Sequence, residues 1–309
     1  MALSILEMVL PVLLSFALGA FLHRRGILSQ SGQEGLKTLV GRVLLPVVLF
    51  NAFFTAHYDG SILLSFSLVY GACALGLAVG FALRRFLGAY GKFLPFLLTN
   101  FEGGMLGYAL FGLLYPGQTS TFAVVDIGQT LAGYTTFLIA LTAVSGEKAS
   151  LGQVLRSALG NPAFLGAVLG VLLGVLGIGK AVLASAAGPI VQASIAFLSA
   201  PVSCLILLIV GYDLGVRRAL LVPVAKTLLL RVLLMGVLAA LSAGILFSIL
   251  PFEKPLMVAL LLAFSLPAPF IIPLYADVRG HEGYISTTLS IQTVLSILLF
   301  IGIAAYSLA

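Results

Sequence analysis

Ten apolar runs, each close to the length a helix needs to cross a bilayer, take up almost all of this 309-residue chain. A hydrocarbon core about 30 Å thick is spanned by roughly 20 helical residues. By that measure the runs are Leu3–Leu22, Leu36–Ala56, Ser61–Leu83, Phe93–Tyr115, Thr119–Val144, Pro162–Ile178, Ile190–Gly211, Ala225–Leu250, Leu256–Tyr275 and Tyr284–Leu308, numbered here as spans 1 to 10. What remains is too short for a soluble domain. The composition agrees: 8% of residues are charged, against roughly 25% in a soluble globule. The expected fold is an all-α integral membrane protein of ten transmembrane helices, with the lipid bilayer as its first partner.

The basic residues act as topology signals rather than as a nucleic-acid surface, because they sit in short clusters between the runs. The loops after spans 1, 3, 5, 7 and 9 carry 12 Lys and Arg and the alternate loops carry 2. Basic loops stay on the cytoplasmic side, so both termini are expected outside the cell, in a multi-pass plasma-membrane protein. The first run has no basic segment before it and reads as a helix that stays, not as a signal peptide. In the longest connection, Ser145 to Asn161, Gly146, Glu147, Lys148 and Arg156 stand around Leu151, Val154, Leu155 and Leu159, the pattern of an amphipathic surface helix.

Spans 1 to 5 laid on spans 6 to 10 give a faint match. Pro11 and Pro46 fall on Pro162 and Pro201, and Gln129-Thr130 falls on Gln292-Thr293. Five spans per half is an odd number, so the halves, residues 1–146 and 147–309, must insert in opposite senses. Inverted repeats are a construction of secondary transporters.

Two spans carry breaks at matching places. Span 4 holds Asn100, Glu102, Gly103 and Gly104 near its middle, and span 9 holds Pro267 and Pro269. Adjacent glycines and missing backbone donors are poor continuous helix, and irregular backbone at membrane depth survives only where it is buried in protein or lines a cavity. The half-helix ends would turn positive N-termini and negative C-termini toward the membrane centre. A pair of merely kinked helices is the competing reading.

Polar residues inside spans carry weight because they are costly there. Asp126 and Gln129 share one face of span 5, Gln292 holds the repeat-related place on span 10, and with Asn100 and Glu102 they form a candidate ion-coupling cluster. The other reading of Asp126 is a solvated position near the outer surface. Glu102 either couples transport to an ion or caps the second half of its helix. Arg42 and Arg231 are read as snorkelling to the cytoplasmic surface, with pairing to an internal carboxylate as the rival reading, and Cys73 and Cys204 as buried apolar residues. Gly174 to Lys180 imitates a phosphate-binding loop, but Ala181 stands where Ser or Thr is required.

Val9-Leu-Pro-Val-Leu-Leu-Ser-Phe-Ala-Leu-Gly-Ala-Phe-Leu-His-Arg-Arg-Gly-Ile-Leu28, then Leu44-Leu-Pro-Val-Val-Leu-Phe-Asn51, Asn100 with its glycines, Leu198-Ser-Ala-Pro-Val202 with Gly211, and the Pro267 region resemble the auxin efflux carrier family, which includes the plant PIN proteins. The resemblance implies a scaffold of spans 1, 2, 6 and 7, which also forms a homodimer contact, and a moving unit of spans 3 to 5 and 8 to 10. It implies elevator-type transport of organic anions, chiefly carboxylates, at the crossing of spans 4 and 9. The substrate-binding candidates are Asn51, Asn100, Phe101, Gly103, Gly104, Ser265, Leu266, Pro267 and Ala268, and the ion-coupling candidates are Glu102, Asp126, Gln129 and Gln292. Glu102 departs from the small or neutral residue common in relatives, and its charge would repel a bound carboxylate unless protonated or paired.

The function expected is therefore secondary active transport of a small organic ion, an organic anion or carboxylate first, coupled to H+ or Na+ and using no cofactor or structural metal. A receptor or sensor on the same scaffold is the alternative. A passive channel would differ in giving unsaturable flux. An intramembrane enzyme would need a metal or nucleophile constellation, and His23, His57 and His281 are expected in loops on opposite faces of the membrane.

Overall fold

The computed structural model describes residues 2–56, 58, 60–144, 152, 156 and 159–309. Every described element is helical. Seven helices are long and apolar enough to cross a membrane, and a bent pair makes eight. The amphipathic segment expected between Ser145 and Asn161 falls for the most part outside the described residues, as does His57.

Helix α1 is Ala2–Arg25, and its last turn collects His23, Arg24 and Arg25 at the negative end of the helix dipole. His23 thus belongs to a helix rather than a loop, with its ring 4.5 Å from that of Tyr212. Helix α2, Gln30–Phe54, starts six residues before the expected run. Ser29 caps it by accepting the Gly32 N–H at 3.1 Å, and Gln33 and Lys37 in its first turns both hold Asp213, at 2.8 and 2.7 Å. A π turn at Val40–Leu44 lies next to Pro46, which has no N–H to donate. Then come α3, Gly60–Leu83, and α6, Thr119–Val144, which matches span 5 in both bounds.

Two stretches between and beyond these are helical only in pieces. The first comprises α4, Leu94–Leu98, an extended link, and α5, a π turn at Gly103–Gly107 running into Tyr108–Leu114. The second comprises α11, Lys254–Ser265, and the short α12, Ile272–Tyr275, separated by residues 266–271.

In the second half, α7, Pro162–Val175, begins at Asn161, whose side chain accepts the Ala163 and Phe164 N–H groups. The apolar run of span 6 predicts a straight helix to Ile178. Instead the chain turns by 79° into α8, Ile178–Ala184, at Gly177, whose φ of +73° suits a residue with no side chain. Helices α9, Gly188–Tyr212, α10, Leu221–Ile249, and α13, Glu282–Leu308, complete the chain.

Two helix pairs are drawn together backbone to backbone. A side chain added at Gly19 on α1 would collide with Leu208 O on α9, and one at Gly211 with Phe16 O. On α7, side chains at Gly166 and Gly170 would come within 2.5 Å of Pro46 O and Phe50 O on α2. Small residues at such contacts replace the hydrophobic drive that is missing between helices in lipid. The large hydrophobics on α1, α7, α9 and α10 that face outward, among them Leu14, Leu169, Phe197 and Leu229, are where an apolar solvent would lie.

Candidate functional site

The two interrupted stretches meet. Glu102 donates its backbone N–H to Pro267 O at 2.9 Å, joining the link between α4 and α5 to the link between α11 and α12. Backbone at a break needs partners for its peptide groups, and the neighbouring helices provide them.

The carbonyl ends of the first half-helices are gathered by Arg231 of α10. Its guanidinium donates to Leu97 O at 3.1 Å, Thr99 O at 3.3 Å, Asn100 O at 2.8 Å and Leu266 O at 2.8 Å. At 4% exposure Arg231 is buried, which corrects the snorkelling expected for it. Its planar fork can serve several acceptors at once, which a lysine cannot, and its positive charge stands where two helix C-termini point. Arg42, in contrast, is exposed.

Glu102 serves the opposite pole. One carboxylate oxygen accepts the Met105 N–H at 3.2 Å, capping its own α5, and the other accepts the Phe270 N–H at 2.8 Å from the second break. The capping reading of Glu102 concerned one helix; the geometry shows it tying two together. The crossing thus carries a guanidinium at its carbonyl pole and a carboxyl group at its amide pole, each supplied by the chain.

The remaining candidates fall into place around it. Asn100 is buried, with φ of +50°, the left-handed region that Asn tolerates better than most residues. Its neighbour Thr99 donates to Cys73 O at 2.8 Å. Gln129 of α6 donates to Phe101 O at 2.6 Å, and Phe101 packs on Phe264. Gln292 of α13 reaches both breaks, accepting the Ala268 N–H and donating to Leu97 O, each at 2.9 Å. Ser265 offers its carbonyl to Ser296. Gly104 lies near the Leu45 side chain and Glu102 Oε1, whereas Asn51 is six residues further along α2 than Leu45, about 9 Å at the helical rise.

Asp126 is 2% exposed, which sets aside the solvated position considered for it. Its Oδ2 accepts from Thr130 Oγ1 at 3.2 Å, and its Oδ1 lies against Gly103, where any side chain would collide with it. Cys73 is buried, but Cys204 is exposed on α9, contrary to expectation.

Sequence reasoning did not join Arg231 to the carbonyls of the site, and it missed Thr99. A basic residue eleven positions into a 29-residue apolar helix was the available signal for the first. Comparison of the chain with protein-family models and with curated proteins finds no match.

Proposed function

We propose that the protein is a secondary active transporter that carries a small organic ion, a carboxylate first, through the crossing of its two interrupted helices. The observation that supports this reading most is the direct junction of the breaks, Glu102 N–H to Pro267 O, with charged side chains at both poles. Half-helix ends meeting inside an apolar bundle form a site for ions and charged solutes.

The packing also supports an inverted repeat of residues 1–146 and 147–309. Exchange of span 1 with 6 and span 2 with 7 turns the α1–α9 pair into the α7–α2 pair, and both are the glycine-backed contacts described above. The same exchange relates Gln129 on the first break to Gln292 on the second. In this reading α4 with α5, and α11 with α12, are spans 4 and 9 of ten. The glycine-backed pairs are a scaffold with a homodimer face, and the rest moves as an elevator between the two sides of the plasma membrane. Coupling to H+ or Na+ belongs to the Glu102, Asp126, Gln129 and Gln292 cluster.

A thermal-shift screen of the purified protein against mono- and dicarboxylates, amino acids and aromatic acids, with and without sodium, tests the reading. A ligand that stabilises the wild type but not Pro267→Leu is expected. Equal stabilisation of both would place binding away from the crossing and favour a receptor built on the same scaffold.

A further inference from the structure

We propose that Asp126 is the carboxyl at the crossing that carries a proton, while Glu102 remains its ionised, fixed anion. The division follows from how differently the two are partnered. Glu102 accepts two backbone N–H groups, one on each oxygen, at helix N-terminal ends, the arrangement that favours the charged form. By ordinary hydrogen-bond geometry Asp126 receives only the Thr130 hydroxyl, on Oδ2, and no backbone N–H among the described residues; the Tyr108 hydroxyl faces its carboxyl.

A second unpartnered group faces the same place. The Tyr108 hydroxyl, on α5, is buried, lacks a hydrogen bond of ordinary geometry, and lies against the Asp126 carboxyl. A proton taken from water onto Oδ1 makes an O–H bond there, removes the negative charge and provides a donor for which the phenol oxygen is an acceptor.

The groups around Asp126 leave its charge uncompensated. Glu102 at the start of α5 is a like charge. Tyr108 on α5, Tyr134 on α6 and Cys73 on α3 are neutral groups within electrostatic reach. Arg231 on α10 is committed to four carbonyls at the other pole. Among the described residues no Lys or Arg pairs with Asp126. An unpaired charge so placed is costly, and a proton relieves that cost.

The role in coupling rests on the transporter reading; the proton itself does not. Infrared spectra of the purified protein at neutral pH, in H2O and in D2O, read it without transport. The wild type is expected to show the C=O band of a protonated, buried carboxyl that shifts on deuteration, with the band absent from Asp126→Asn and kept in Glu102→Gln. Tyr108→Phe should move the band by removing its neighbour. A wild type without the band, a band that survives Asp126→Asn and disappears in Glu102→Gln, or a band abolished by sodium chloride would overturn the proposal. The expected band pattern combined with no uptake of any carboxylate tested would retain the proton site and remove the transporter.

Discussion

Arg231 shows how one side chain can decide whether a broken helix is tolerable. Four carbonyl oxygens that have lost their helical donors converge on it, and each buried acceptor left unsatisfied costs about 1–3 kcal/mol. Arg231→Met is therefore expected to lower stability by at least about 3 kcal/mol, and Arg231→Lys to recover only part of it, measured as the loss of melting temperature in detergent. Glu102→Gln keeps one acceptor for the two N–H groups, so its cost should resemble loss of a helix cap, about 1 kcal/mol. Equal stability of wild type and Arg231→Met would show that the carbonyls are satisfied in another way. Arg231 was not legible in the sequence because a lone arginine in an apolar helix reads alike whether it snorkels or is buried. The face of α10 on which it stands, set by packing, makes the difference. Glu102 was legible as unusual, from its place beside two glycines, but the Phe270 N–H that it accepts comes from 168 residues away, beyond any local pattern.

At the scale of elements, the breaks themselves were readable, because Gly103-Gly104 and Pro267 with Pro269 are the residues least able to continue a helix. Their meeting was only suggested, by the matching places of the two breaks and by the family resemblance. Gly103 has a further duty that the sequence does not display: Asp126 occupies the space a side chain would need. Gly103→Ala is thus expected to be destabilising and to be partly relieved by a second change, Asp126→Ala; a double-mutant cycle on thermal stability measures that coupling. Additive effects would mean the two do not touch. Asn100 poses a separate question, since its backbone is left-handed and its side chain is at the site. Asn100→Gly preserves the backbone and removes the side chain, so it should fold as well as the wild type and fail to bind, whereas Asn100→Ala adds a conformational cost of about 1–2 kcal/mol. The bend at Gly177 escaped detection because an apolar run of suitable length gives no sign of turning when a single glycine permits it.

For the whole molecule, the orientation expected rests on the charge bias of the loops alone. In a chain with Cys73 and Cys204 replaced by alanine, a cysteine at Gln118 should react with an impermeant thiol reagent applied to intact cells, and one at Gln30 should not. Labelling of Gln30 and protection of Gln118 would reverse the topology. The class of fold was legible because ten apolar runs leave a chain few alternatives; the arrangement of those runs was not, since pairs such as α1 with α9 join residues from opposite halves. The central claim is that the crossing is where a solute is carried, and uptake into proteoliposomes of a carboxylate found by the thermal-shift screen, driven by an imposed pH gradient, tests it most directly. Saturable uptake that exceeds the outside concentration in the wild type and is abolished in a stably folded Asn100→Gly is the expected result; unsaturable flux that stops at equal concentrations, or uptake unchanged in Asn100→Gly, would contradict it.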